Sequence, residues 1–274
     1  MAATGGHEIS LHAFTDLDAD APDVDTYVAA LEAFDRLPLL GELKALAIER
    51  SGTGPGAVVL DGGCGFGREC LRLAAAVAPG GTVTGIDASG RFVAEARRRA
   101  AGTGLGLTFV EGDAAALPFP DDAFDITRAE RVLVYLPDPA QAVAEMVRVT
   151  RPGGRIAVIT PDFDTNTIDV GERPVTRAIL AHECDTAVVH GWLPRRLGPI
   201  LTAAGAHDVQ LASRMVVFTP DLAASYFAGV GRSAAAAGVV SEEAAAAWVA
   251  EIEWRHRDGT LFAAIGYYLF TATV

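Results

Sequence analysis

The residues from Ala57 to Glu69, Ala-Val-Val-Leu-Asp-Gly-Gly-Cys-Gly-Phe-Gly-Arg-Glu, carry the densest chemistry in the chain. A short apolar run, Val58 to Leu60, meets an acid, Asp61, and then Gly62, Gly63, Gly65 and Gly67. The leucines and alanines from Cys70 to Ala76 suit a helix after them. Glycine has no Cβ, tolerates positive φ and lets a ligand lie against the backbone, so Gly63, Gly65 and Gly67 read as a loop pressed onto something. Unpaired amides at the start of the next helix favour an anion or an acceptor-rich group. The spacing narrows the ligand. A dinucleotide loop wants glycines at positions one, three and six, whereas here they fall at one, three and five. Arg68-Glu69 stands where a phosphate-cradling loop needs Lys-Ser/Thr.

The elements that position this loop follow from periodicity. Apolar residues from Val24 to Arg50 recur at three and four, with an interruption at Pro38, and predict one or two helices before the first strand. Thr82–Ile86 is a second strand ending in Asp87, with Ser89 as cap of a helix over 91–101. Leu107–Val110 is a third strand leading to Glu111-Gly112-Asp113. Phe124–Thr127 is a fourth, Asp138–Val149 a helix, and Arg155–Thr160 a fifth strand after the turn Arg151-Pro152-Gly153-Gly154. Such alternation means a parallel sheet covered on both faces, with right-handed crossovers. Asp61, Asp87 and Asp113 then project to one sheet edge, where ligands of open α/β sheets bind. Each could also simply cap the turn after its strand.

Beyond Thr160 the spacing predicts helices over 173–189 and 193–204, a strand over 208–218, and helices over 223–237 and 241–254. A last strand spans about 260–271. Residues 1–21 are small, polar and acidic and read as a flexible tail ahead of one domain over 22–274.

Asp61-Gly62-Gly63-Cys64-Gly65-Phe66-Gly67 resembles the first motif of the class I S-adenosylmethionine (SAM) dependent methyltransferases, Asp/Glu-x-Gly-x-Gly-x-Gly. The stretches Leu117–Asp125, Glu130–Pro139 and Val149–Arg155 are similar to that family's approach to the fourth strand, its continuation and its turn into the fifth. Together they resemble the ubiquinone/menaquinone methyltransferase-like branch, which methylates small molecules. The resemblance is strong over 57–160 and weaker beyond. It implies a Rossmann-like three-layer α/β fold with a mostly parallel seven-stranded sheet and an antiparallel last strand. It also implies a SAM-binding core over 57–160, with helices over 22–50 and 220–258 as a lid on the acceptor site.

By the same resemblance SAM is the cofactor and S-adenosylhomocysteine its product. Asp87 is placed to accept from the ribose hydroxyls, Asp113 from the adenine amino group, and Asp61 to hold the loop and face the aminoacyl end. Gly63, Gly65, Gly67, Ala88, Ala114, Arg128, Glu130 and Arg131 complete the cofactor set. Many relatives carry a His where this chain has Tyr135, so a His-based mechanism does not transfer here.

Methyl transfer from a sulfonium is an in-line displacement in which positioning supplies much of the rate, and a base is needed only for a protonated acceptor. Tyr135, Tyr27 and His182 are the catalytic candidates, with Glu183, His190 and His256 behind them. Tyr135 reads equally as a pocket wall, since a tyrosine ordinarily titrates near pH ~10. His182 reads equally as a helix surface residue. Tyr27, Tyr135, Trp192 and Tyr267 are candidates for the acceptor pocket, with Trp248 and Trp254 as further aromatics.

Composition sets outer bounds. The chain has 274 residues, half of them hydrophobic, and a net charge of −13, which argues against nucleic acid as partner. There is no cationic-then-apolar start of a secretory signal, no run long enough to span a membrane, and only Cys64, Cys70 and Cys184 as thiols. The expectation is a cytoplasmic enzyme without a metal, able to form a homodimer. Its acceptor is a small aromatic or lipophilic molecule methylated on O, N or C. Rival readings are a methyltransferase-fold enzyme running a cyclisation with SAM bound, a noncatalytic SAM-binding partner subunit, and a nicotinamide oxidoreductase, which the glycine spacing disfavours.

Overall fold

The structure, a computed structural model, describes the backbone from Val24 to Val274 and the side chains from Val28 onward, Ala30 excepted. The expected tail over 1–21 and the side chain of Tyr27 lie outside the described residues.

Helices α1 (Val24–Asp35) and α2 (Pro38–Arg50) precede β1 (Val58–Gly62). Then come α3 (Arg68–Val77), β2 (Thr82–Asp87), α4 (Gly90–Ala100), β3 (Leu107–Glu111), β4 (Phe124–Glu130), α5 (Pro139–Val149) and β5 (Thr150–Ile168). The chain continues through α6 (Arg173–Thr186), α7 (Pro194–Ala203), β6 (His207–Val217), α8 (Pro220–Ala236), α9 (Glu242–Asp258) and β7 (Ala263–Thr273). The strands form one seven-stranded sheet in the order β3-β2-β1-β4-β5-β7-β6. β1 to β5 run parallel, and β7 lies antiparallel between β5 and β6.

Local chemistry sets the boundaries. Ser89 caps α4 by accepting from the Phe92 amide at 3.2 Å, and Asp138 caps α5 by accepting from Ala140 and Gln141 at 3.0 Å. Ser241 caps α9, which ends at Gly259 with φ +73, a conformation glycine adopts without strain. Val59 and Leu60 are buried, as a central parallel strand requires. The registers Asp61↔Gly85, Asp61↔Arg128 and Asp87↔Glu111 bring the carboxyl ends of the first strands to one rim. Strand order reverses between β1 and β4, so a crevice opens there.

The fifth strand is much longer than the predicted 155–160. It persists to Ile168 because β7 supplies partners from Arg155↔Thr273 to Ile168↔Ala263, with a shift in register between Asp162 and Thr167. α2 is held by Leu37, Leu40, Leu43 and Ala47, buried at a spacing of three and four. At roughly 1.5–3 kcal/mol per buried leucine, this packing fixes the rotation of α2 and carries the neighbouring Lys44 inward.

Candidate functional site

A cavity of about 240 Å³ lies over the rim formed by β1, β2 and β4. Its floor on the β1–β3 side is the glycine loop. The Gly63 and Cys64 amides donate to Ile86 O at 2.7 and 3.0 Å, and the Gly65 amide donates to Asp87 Oδ2 at 2.8 Å. Asp87 Oδ1 accepts from the Ser89 amide at 2.9 Å, and Asp113 Oδ1 from Ala115 at 2.8 Å. Gly65 sits at φ +52, and a Cβ there would meet nothing within 4 Å, so its bare backbone faces open space beside the two aspartates. That is a cradle shaped for a ligand rich in hydrogen-bond donors.

Below it runs a buried charge network. Lys44 Nζ lies 2.9 Å from Asp35 Oδ1 and 3.3 Å from Glu69 Oε2. It also approaches Glu130 Oε1 at 2.9 Å, at an angle poor for a hydrogen bond, so that attraction is ionic. Arg128 bridges Asp61 Oδ1 at 3.1 Å and Glu130 Oε2 at 2.8 Å, and Arg131 reaches Asp35 Oδ1 at 3.1 Å. Burial pushes the Asp61 carboxyl up to about 6 against the pull of Arg128. Burial acts the same way on Glu130, but Lys44, Arg131 and Arg128 outweigh it and hold that carboxyl down to about 2. Arg131 adopts φ +56, a strained left-handed conformation for a non-glycine residue, at the end of β4.

The β5–β7 side of the cavity is aromatic. Phe34 meets Phe218 edge-on at 5.7 Å and Tyr226 at 6.0 Å, while Phe218 stacks on Tyr226 at 5.8 Å. Tyr135 and Tyr267 also line it. Burial lifts both hydroxyls above the ordinary tyrosine range, so neither is a ready base.

A family model described as "Methyltransferase domain" matches residues 60–158. A Streptomyces fradiae protein described as an uncharacterised 37.1 kDa protein in a transposon is 35% identical over 93% of this chain and 72% of its own. The ubiquinone/menaquinone biosynthesis C-methyltransferase of Hahella chejuensis is 37% identical over 46% of this chain, a match spanning about half (51%) of that relative. The YcgJ protein of Bacillus subtilis shares the fold, with a TM-score of 0.60 over 85% of this chain and 98% of its own at 20% identity. The chain belongs to the class I SAM-dependent methyltransferases. SAM is their cofactor, and the bare Gly65 backbone between acceptor oxygens fits an adenosyl group.

Of the site residues read from the methyltransferase sequence, Asp61, Gly63, Gly65, Asp87, Ala88, Asp113, Ala114, Arg128, Glu130, Arg131, Tyr135 and Tyr267 all line the cavity. Three others do not. Gly67 turns away from it, because a Cβ there would lie 2.8 Å from the Phe109 ring and 2.9 Å from Ala96; it is glycine so that α3 can start against β3 and α4. His182 points to α8, 3.4 Å from Ser233 Oγ, because the turn of α6 that buries its neighbour Glu183 rotates His182 aside. Trp192 is half exposed beside Arg195, whose guanidinium lies 5.8 Å from its ring, outside the pocket.

Sequence reasoning missed Asp35, Lys44, Glu69, Phe34, Phe218 and Tyr226, all on the cavity wall. A signal existed for Lys44 alone, a lysine set between Leu43 and Ala45 on the leucine-rich face of its helix. Among the described residues no helix is long and apolar enough to cross a membrane, and no cluster of His, Cys, Asp or Glu could hold a metal ion.

Proposed function

We propose that this methyltransferase moves the methyl group of SAM onto oxygen, nitrogen or carbon of a small aromatic or lipophilic molecule. The observation that carries the reading is one cavity with two chemistries. Aspartates and glycines with Phe66 and Phe92 line the β1–β3 side, a larger group of aromatic rings lines the β5–β7 side, and the charged end of β4 lies between them. In this reading Asp87 accepts from the ribose hydroxyls, Asp113 from the adenine amino group, and Ala88 and Ala114 leave room for the adenosine between them. Asp61, tied to Arg128, holds the base of the loop. SAM, when bound, supplies an electrophilic methyl on a cationic sulfur. The chain supplies position: Phe34, Phe218 and Tyr226 offer ring faces and edges against which a flat apolar acceptor packs. Similarity to a ubiquinone/menaquinone biosynthesis C-methyltransferase supports an aromatic acceptor. The net charge of −13 supports a small molecule over nucleic acid.

The test is incubation with methyl-labelled SAM and a panel of phenols, quinols and aromatic amines, followed by extraction of products into organic solvent. Label in an extracted product supports the reading. A panel member rearranged without taking up label would replace it with a cyclisation. Transfer that appears only with a second protein present would make this chain a binding subunit.

A further inference from the structure

Asp61, Asp162 and Glu183 are the carboxylate residues with the least exposure among the described residues. Two of them face a guanidinium, Asp61 at 3.1 Å from Arg128 and Asp162 at 2.8 Å from Arg195. Glu183, only 5% exposed, has no ion pair among the described residues. Its partner is the hydroxyl of Tyr226, which donates to Oε1 at 2.5 Å. A buried carboxylate without a counter-charge is costly, and such an arrangement is found where a proton has to be taken up.

The surroundings fit that task. Glu183 lies on α6, and of the elements packed there α8 contributes Tyr226 and the connection after β4 contributes Tyr135. No charged group of β5 acts on it. Tyr226 in turn feels Tyr135 and Tyr267. Glu183 itself does not border the cavity, but Tyr226 does. A phenolic oxygen has one proton to give, and here it goes to Glu183. Tyr226 lines the cavity, and because its one proton goes to Glu183, its oxygen can meet a bound molecule only as an acceptor, which calls for a donor on that molecule. Arg131 on the same wall, close enough to act on Tyr135 and Tyr267, disfavours a second cation such as a protonated amine.

The geometry points to Tyr226 and Glu183 as a proton relay for a phenolic or enolic hydroxyl acceptor. Tyr226 is the catalytic residue, and Glu183 acts through it. As the acceptor oxygen bonds to the methyl carbon, the carbon–sulfur bond breaks and its electron pair stays on sulfur. The acceptor proton moves to Tyr226 Oη while the Tyr226 proton moves to Glu183 Oε1. One sulfonium charge and one carboxylate charge vanish together, and Tyr226 ends as it began. Burial holds the Glu183 carboxyl above its ordinary range, the direction that favours proton uptake.

The relay rests on the methyl-transfer reading, so its test includes a readout independent of turnover. The probe is para-nitrophenol, added to full-length protein saturated with S-adenosylhomocysteine at a pH below the probe's own pKa. Wild type is expected to bind it with growth of the yellow phenolate band. Glu183→Gln and Tyr226→Phe, each checked by unchanged S-adenosylhomocysteine affinity, are expected to lose that band. With an accepted phenol, each variant is expected to lose about a hundredfold in kcat. Glu183→Gln should also lose the acid limb of the pH–rate profile. An absent band in wild type, or an equal band in all three proteins, overturns the relay even where label transfer succeeds. A band that depends on both residues, without label transfer to any acceptor, supports the relay and defeats the methyl-transfer reading instead.

Discussion

Asp87 ties two loops together, accepting from the Gly65 amide at 2.8 Å through Oδ2 and from the Ser89 amide at 2.9 Å through Oδ1. The end of β2 thus sets the shape of the loop after β1. Asp87→Ala removes that tether and the acceptor oxygens proposed for the ribose. We expect the SAM dissociation constant to rise about tenfold or more, at least roughly 1.4 kcal/mol, close to the lower bound for a lost hydrogen bond to a charged group. Asp87→Asn, which keeps an acceptor oxygen, should lose less. Calorimetry returning an unchanged constant for Asp87→Ala would remove Asp87 from cofactor binding.

Gly63 and Gly65 differ in what an added methyl group would meet. At Gly63, with φ +68, it would run into the side chain of Val132; at Gly65 it would meet open cavity. Gly63→Ala combines left-handed strain of about 1–2 kcal/mol with overpacking of about 1–3 kcal/mol, and should lower the melting temperature clearly. Gly65→Ala has only the strain to bear, so its larger effect should be on SAM binding. Thermal melts and SAM titrations on both variants check this, and the reverse ranking would contradict the loop geometry.

The parts of this site that sequence made legible are local. Asp61, Gly63, Gly65, Asp87 and Asp113 each lie at, or within a few residues of, the carboxyl end of their own strand, so spacing alone places them. The charge network is not local: Lys44 meets Glu69 and Glu130 across separations of 25 and 86 residues, and a lysine on a helix ordinarily reads as solvated. Glu183 was among the possible bases, yet nothing in its neighbours announced Tyr226 forty-three residues on. His182 and Trp192 misled for the opposite reason, since a residue type apt for chemistry says nothing about the rotation of its helix or turn. The long β5 was hidden because β7, which extends it, comes about a hundred residues later.

Lys44→Met should be strongly destabilising. It leaves Asp35, Glu69 and Glu130 facing one another with fewer cations among them, and breaking a buried pair costs about 3–5 kcal/mol. Burial opposes the charged lysine, but the three carboxylates outweigh it and raise its pKa, so the ammonium persists at neutral pH. Urea unfolding should show a lower midpoint with an unchanged slope. Adding Glu69→Gln to the variant should recover part of the loss, because one repelling charge is gone. Strictly additive effects would mean that the two residues do not sense each other.

Glu130 should make the stability gap between wild type and Glu130→Gln depend on pH. Its folded-state pKa, about 2, lies below its ordinary value of 4.5, chiefly because Lys44, Arg131 and Arg128 overcome the penalty of burial. A depressed carboxylate contributes stability that is present above the unfolded value and lost as pH falls through the folded one. Wild type should therefore exceed Glu130→Gln most near neutrality, with the gap closing as pH drops from 4.5 toward 2. Asp61 works in the other direction, since its folded pKa of about 6 lies above its ordinary 3.8 and its ionisation weakens the fold as pH rises between those values. Asp61 is coupled to Glu130 through Arg128, so its share does not cancel in the difference, but it changes between about 3.8 and 6, above most of the range in which Glu130 acts. Urea midpoints measured for the pair at several pH values report that difference, and a gap that widened with acid would mean that Glu130 is not held ionised by its three cations.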